Sequence, residues 1–316
     1  MKIKKIAAVI MIIAVLLGTA ACTGTRQNGG DDDYFASFTD DLGRKVNIAE
    51  KPTRVAALIG SFADVWCLAG GRDTLVAAAN DSWTSFDLGL GEDVADLGAI
   101  KEPNFEVLMS AEPDFILASC NTAADLELKS RFEQLGISVA YFDIQTIDDY
   151  LRMLKICTEL TGCPDNYKEY GEDVAALAEA SIARNDGSHP SVLCIRATGS
   201  SCKVKGSTDN VLGEMLADLG CVNIADSDNS LLENLSIEAI IEADPDYIFA
   251  VLQGSDSSEA QRVLNETLLT NPAWGALTAV KENRFFVVEN SLYNLKPNSR
   301  WGIAYEKLAD ILFTKE

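Results

Sequence analysis

Histidine is nearly missing from this chain: His189 is the single one in 316 residues. A zinc or manganese site built on imidazole has no material, and a Ser/His/Asp arrangement would have one base, set in a linker before a strand. No G-x-S-x-G elbow, H-E-x-x-H pair or Gly-rich phosphate loop occurs. Ser200 and Ser201 in TGSSCK have no nameable base, so catalysis is not expected. Basic residues are scarce as well. With 26 Lys+Arg against 48 Asp+Glu the formal charge is −22, which argues against nucleic acid, because binding a polyphosphate depends on Lys/Arg releasing its counterions. One long apolar run exists, Ile6 to Ala21, short of the roughly 20 residues a bilayer span needs, and nothing after it compares. The cysteines include no C-x-x-C pair, a poor basis for a disulfide framework.

What is present is a packed globule, 47% hydrophobic and 23% charged, long enough for one large or two medium domains. Its first residues are an address. MKIKK gives a positive n-region, IAAVIMIIAVLLG an apolar h-region and TAAC a small-residue cleavage site, so residues 1–21 read as a signal peptide. Cys22 after Thr19-Ala20-Ala21 resembles a bacterial lipobox cysteine. Thr19 stands where Leu is usual, and ordinary cleavage is the other reading. Lipidation at Cys22 makes the chain an exported protein anchored to the outer face of the cytoplasmic membrane, with contact to the bilayer through that lipid alone. Residues 22–37 are then a polar, flexible tether. Removing residues 1–21 takes away three lysines and no acid, which moves the charge to −25. Of the eight cysteines, seven remain beyond Cys22, mostly inside apolar runs such as VWCLAG and VLCIRA, where Cys acts as a small buried hydrophobe. Cys194 and Cys202 flank a possible turn, and pairing and two free thiols both stay open.

Short β-rich runs alternate with helical ones. RVAALI, LVAAA, DFILAS and ISVAYF predict strands, and FADVWCLA, FEVLMSAEP and LELKSRFEQLG predict the helices between them. From Thr146 to Arg184 the pattern is almost continuously helical, split by Cys163-Pro164, with Pro164 suited to a first turn. The alternation restarts with SVLCIR and runs through YIFAV and FFVV to a last helix, RWGIAYEKLADILF. Residues 104–118, NFEVLMSAEPDFILA, repeat as residues 236–250, SIEAIIEADPDYIFA, at an offset of 132. Each copy is a short helix stopped before Pro and turned by Pro-Asp into a buried strand. The expectation is an α/β protein with two lobes, each a mainly parallel sheet flanked by helices. The N-terminal lobe is 38–163, the connecting helix 164–187 and the C-terminal lobe 188–316.

Five segments carry a family resemblance. FTDDLGRKVNIAEKPTRVAAL, KEPNFEVLMSAEPDFILAS, NVLGEMLADLGCVNIAD, LSIEAIIEADPDYIF and LLTNPAWGALTAVKENRFFVV follow, in order, patterns of the iron-complex and cobalamin substrate-binding proteins of ABC importers. The resemblance runs from about Phe38 to the C-terminus. It implies two lobes joined by one rigid backbone helix with a ligand cleft between them. It also implies an ABC-importer permease dimer as partner, a small metal chelate as ligand, a monomer and no intrinsic cofactor. In this family matching glutamates on each lobe contact permease arginines, which singles out Glu106 and Glu238, equivalent in the two repeat copies. Helix-dipole complementation is the other account of those two charges.

Cleft residues belong where strands end and helices begin. In the first lobe these are Ser61 and Phe62, Trp83, then Ser119, Cys120 and Asn121. In the second they are Arg196 with Thr198, Ser200 and Ser201, then Lys203, Lys205, Gln253 and the stretch Tyr293 to Arg300 in SLYNLKPNSR. Arg196, Lys203, Lys205, Lys296 and Arg300 on one side of a cleft would form a local anion site in an acidic protein. Lys203 and Lys205 read equally as strand-surface charges, Arg300 as a helix-packing residue and Trp83 as core. Haem would want an axial donor, for which Tyr293 and Cys120 are the candidates. The basic cluster favours an anionic iron chelate of siderophore type. A corrinoid or haem is the alternative, and an exported enzyme or non-transport sensor a remote one.

Overall fold

The computed structural model describes residues 34–313 except 209, 228, 234, 255 and 256. The signal peptide, Cys22 and most of the expected tether lie outside the described residues. The described chain opens with a hairpin, β1 (Ala36–Thr39) and β2 (Lys45–Ile48), so residues 36 and 37 are strand, not tether. The D-D-L-G-R segment makes this hairpin. The buried Asp40 carboxylate accepts the backbone N–H groups of Leu42, Arg44 and Tyr141 and is bridged by the Arg44 guanidinium at 2.6 Å. Arg44 in turn lies 4.7 Å over the Tyr141 ring.

The first lobe runs β3 (Val55–Ala57), α1 (Gly60–Leu68), β4 (Leu75–Ala78), α2 (Asp81–Thr84), β5 (Ala95–Asp96), α3 (Phe105–Ser110), β6 (Phe115–Ser119), α4 (Ala123–Leu135) and β7 (Ser138–Phe142). Its strands are parallel in the order β5-β4-β3-β6-β7. The apolar runs give buried residues to both faces, Ala57 and Leu117 on one and Ala56 and Ile116 on the other. That is why these strands read as continuous hydrophobic stretches and not as alternation.

Then come α5 (Ile147–Thr161), α6 (Asp165–Tyr167), a π turn (Lys168–Glu172) and α7 (Asp173–Ile182). A Thr146/Asp149 capping box starts α5, and Gly162, at φ 71°, stops it. The helix expected over 164–187 is therefore a run from Asp165 to Ile182 with a π turn in its middle.

The second lobe holds β8 (Ser191–Ala197), β9 (Cys202–Lys205), α8 (Val211–Asp218), β10 (Val222–Asn223), α9 (Asn229–Glu233), α10 (Ile237–Ala243), β11 (Tyr247–Leu252), α11 (Ser257–Leu264), α12 (Thr278–Lys281), β12 (Phe285–Val288), α13 (Asn290–Tyr293) and α14 (Trp301–Phe313). The parallel order is β10-β8-β11-β12, with β9 antiparallel to the second half of β8. The architecture is thus two α/β lobes with parallel sheets. The two repeat copies share their local chemistry. Asn104 caps α3 and Ser236 caps α10, and the residues before each Pro, Glu112 and Asp244, both sit at positive φ. Asp114 then accepts hydrogen bonds from the Thr53 hydroxyl and the Thr53 and Arg54 N–H groups at the start of β3. Asp246 accepts those of Ser191 at the start of β8.

One apolar core joins the lobes. Trp66 and Phe115 from the first, Val192 and Phe249 from the second, and Tyr150, Val174, Trp301 and Tyr305 from the helices belong to a single buried cluster. Lobe movement has to shear that core, which favours small closure amplitudes. All seven described cysteines are free. The pairing considered for Cys194 is excluded by register, because β9 places Lys205 opposite Cys194 and Cys202 opposite Ala197. Cys194 also packs in the interlobe core while Cys202 packs on the other face.

Candidate functional site

In each sheet the strand order reverses once. The chain leaves β3 toward β4 and β5, then returns to the other side for β6. In the second lobe it leaves β8 toward β10, then crosses to β11. Ligands of open α/β sheets sit at the carboxyl ends of strands at these switch points. Here the strand-end segments concerned are Ile59–Phe62, which runs into the first turn of α1, and Ser119–Asn121 in one lobe, and Thr198 and Gln253 in the other. Gln253 donates its backbone N–H to the Ala197 carbonyl at 2.8 Å, which holds the two second-lobe loops together.

Three contacts show these edges face each other. Lys296 Nζ donates to Gln145 Oε1 at 3.3 Å, and Asn298 Nδ2 donates to Ser61 O and Asp64 Oδ2, both at 2.8 Å. A cavity of about 640 Å³ is walled by Thr84 and Ser85 from the first lobe and by Gln253, Gly254, Asn290, Asn294 and Leu295 among others from the second. The lobe-one floor is organised from the hairpin. Asp41 accepts the Asp143 N–H and the Arg152 guanidinium, while Asp143 Oδ1 accepts from Asn121 and Gln145.

Arg196 is half-buried on β8, and its guanidinium has no hydrogen-bond or ion-pair partner among the described residues. Burial pushes its pKa down. Lys203 is its direct partner across the β8–β9 pair, so the two side chains share one face of the sheet. Lys203 is exposed and also lacks a described partner, and Lys205 lies opposite Cys194 on the same face. Lys296 joins this group. Burial pushes its pKa down to about 8, with Arg196 adding to the fall and Asp143 and Asp149 opposing it.

Other expected cleft residues are placed differently. Phe62 is 2% exposed and packs edge-on against Phe142 at 6.2 Å, so it is core. Tyr293 is buried and its hydroxyl donates to the Ala304 carbonyl at 3.0 Å, which removes it from the cleft wall. Arg300 sits near Asp64 and helps hold that carboxyl's pKa down against burial. Ser119 is buried and its hydroxyl accepts the Asn121 N–H, whereas Asn121 is exposed. Cys120 is half-buried, with its thiol pushed up to about 12 by burial and by the carboxylates of Asp41, Asp143 and Asp40. Trp83 packs its partly buried indole on the core, its N–H 3.4 Å from the Leu90 carbonyl. Ser61 is buried with no described partner for its hydroxyl. Asp143 and Gln145 join the site without being among the expected residues, although they follow strand ISVAYF just as Ser119 follows FILA, a signal open to the same rule. Asn298 lies within the expected stretch Tyr293 to Arg300, but its burial and its hold on α1 have no sequence signal.

Glu106 and Glu238 are both exposed at the second residue of their helices, α3 and α10. Among the described residues no group of three or more His, Cys, Asp or Glu is placed to hold a metal ion, and no helix is long and apolar enough to cross a membrane.

Residues 55–292 match the periplasmic binding protein family. The chain belongs to that family. Like other periplasmic binding proteins it is a solute-binding protein whose relatives work with ABC-importer permeases. It is 26% identical over 300 residues to the Fe(3+)-citrate-binding protein of Bacillus subtilis, covering 90% of this chain and 89% of the relative. A Staphylococcus aureus protein complexed with staphyloferrin B superposes with a TM-score of 0.64 at 22% identity, over 88% of this chain and 97% of that one. The vitamin B12 binding protein of Vibrio cholerae superposes with a TM-score of 0.66 at 19% identity, over 83% and 97%.

Proposed function

We propose that this periplasmic binding protein captures an anionic iron chelate between its lobes and hands it to an ABC importer. The observation that carries the reading is the Arg196–Lys203 pair. Like charges directly opposite each other on a strand pair are destabilising, and here neither charge has an ion-pair partner among the described residues. A ligand that brings several carboxylates or other oxyanions would relieve that repulsion and satisfy a half-desolvated guanidinium. The Fe(3+)-citrate-binding relative and the staphyloferrin B complex support an anionic chelate. Haem would need an axial donor, and the Tyr293 hydroxyl is engaged elsewhere while Cys120 holds its proton. Residues 1–21 serve as export signal, lipid on Cys22 anchors the chain to the outer face of the cytoplasmic membrane, and residues 22 to about 35 form the tether. The two lobes, 38–163 and 188–316, are held by the helix between them. The protein acts as a monomer on a permease dimer, docking through Glu106 and Glu238.

The test is a calorimetric titration of the chain from Tyr34, which forms one compact unit. The ligands are ferric citrate, a ferric catecholate, hemin and cyanocobalamin. One-to-one binding of an anionic ferric chelate, lost in Arg196→Gln, is the expected result. Binding of cyanocobalamin or hemin alone would overturn the reading.

A further inference from the structure

The six residues Leu295–Arg300 leave the second lobe after α13 and cross to the first lobe before α14 begins. Asn298 is the crossing point. It is fully buried, its φ is 53°, and both N–H bonds of its amide are engaged on α1, one on the Ser61 carbonyl and one on Asp64. Asparagine is among the few residues that take the left-handed conformation at modest cost, so residue type and backbone agree at this anchor. Two residues earlier stands Lys296, separated from the anchor by Pro297, whose ring removes backbone freedom. Two residues span at most about 7 Å, so the anchor limits where the lysine can go.

Lys296 reaches the first lobe through Gln145, itself held by Asp143. An ammonium carries three donors, and Gln145 is the one described hydrogen-bond partner. Two donors are left in a partly buried position near Arg196. We propose that Leu295–Arg300 is an interlobe strap, anchored by Asn298, that positions Lys296 as a ligand-contacting residue completing the anion site from the first-lobe side. This rests on the anionic-chelate reading of the cleft. Arg196 and Lys203 then grip the anion from the second-lobe sheet and Lys296 grips it at the lobe boundary, so affinity depends on the strap as well as on the cations.

The charged groups facing Lys296 are Asp143 and Asp149 from the first lobe and Arg196 from β8. With its pKa near 8, the lysine loses its charge as pH rises from 7 to 9, and an anion should release over that window.

The experiment uses the chain from Tyr34 with ferric citrate as probe, titrated between pH 6 and pH 10. Lys296→Gln should weaken binding by about tenfold or more, the usual scale for a charge-assisted hydrogen bond, and flatten the pH profile. Lys296→Arg should restore most of the affinity without the pH dependence. Asn298→Gly keeps the backbone conformation and the lysine but removes the anchor. It should lose affinity to a similar extent, and in ligand-free protein it should speed acetic anhydride labelling of Lys296 and move the pH midpoint of that labelling upward. A lower melting temperature with affinity, pH profile and labelling unchanged would mean a merely structural Asn298 and overturn the strap. Should Asn298→Gly not fold, undiminished affinity in Lys296→Gln overturns the proposal by itself. If wild-type protein binds no anionic ferric chelate, the functional reading falls. Labelling of wild type against Asn298→Gly then still decides the strap.

Discussion

Lys203 stands directly across the β8–β9 pair from Arg196, and neither charge has an ion-pair partner among the described residues. A protein of net charge −22 has abundant acid with which to neutralise such a pair, so leaving it uncompensated costs stability for the sake of the cleft. Arg196→Gln and Lys203→Gln are each expected to stabilise the ligand-free protein slightly, by roughly 0.2–1 kcal/mol, while weakening ferric citrate binding about tenfold. Thermal melts paired with titrations check this. Lower stability together with unchanged affinity would assign the pair to packing.

The glutamates at the two repeat positions offer a separate test, because they are far from the cation pair in role. Each sits in a first helical turn and contributes roughly 0.3–1 kcal/mol through the helix dipole. Reversal removes a favourable charge and adds an unfavourable one at each site, so the Glu106→Lys, Glu238→Lys double variant should lose at most about 4 kcal/mol and bind ligand normally, yet fail in cellular uptake. Uptake at the wild-type rate would remove the docking role and leave the dipole as the whole explanation.

Stability should also fall as pH rises through the weakly acid range. Burial raises the Asp125 carboxyl to about 7 and the Asp81 carboxyl to about 6, and raises Asp64 as well. The folded chain then holds protons that the unfolded chain has released. The stabilisation is complete below about pH 4 and is lost as pH rises through 6 and 7. Asp125 carries the clearest signal. Its Oδ2 accepts the Ser119 N–H at 2.7 Å, while its Oδ1 is buried with no described partner. Melting temperature measured from pH 4 to pH 8 should decline in wild type and decline less in Asp125→Asn. Parallel curves would show that Asp125 ionises normally.

The lobes and their helix-strand repeats were legible because burial on both faces leaves uninterrupted apolar runs, and because Pro-Asp marks the same turn twice. The hairpin β1–β2 was not, since its short, half-exposed strands carry little pattern and depend on Asp40 reaching Tyr141, about a hundred residues away. The site divides in the same way. Arg196, Gln253 and Asn121 follow from where strands end, a local property. Phe62 and Tyr293 also follow strand ends or lie in the right loop, yet both face the core, because orientation is set by Phe142 and Ala304 from distant segments. Asn298 lies in the expected stretch Tyr293 to Arg300, but its anchoring role was not legible for a related reason: its partners Ser61 and Asp64 lie more than 230 positions upstream.

The seam between α7 and α14 gives a last prediction, one whose sign depends on packing. At an open helical site Gly→Ala is usually favourable by roughly 1 kcal/mol, because alanine has less backbone freedom to lose. Gly302 opens α14 where it lies on α7, and a Cβ there would stand 2.9 Å from both the Leu177 Cβ and the Val174 carbonyl oxygen. Neither neighbour can give way easily, since one is backbone and the other the root of a side chain. Gly302→Ala is therefore expected to cost about 1–3 kcal/mol, the range for overpacking, in spite of its better helix propensity. Gly275, which sits in a helical turn with nothing within 4 Å of a new Cβ, is the control, and its alanine variant should be neutral to stabilising by up to roughly 1 kcal/mol. Denaturant titration of both variants decides the matter. The seam also ties the second lobe's final helix to the connecting helix, so Gly302→Ala should loosen the lobes together with the fold and raise hydrogen exchange in α7 and α14. A stable Gly302→Ala protein would mean that the two helices can separate by several tenths of an ångström without penalty, and that this seam does little to restrain lobe movement.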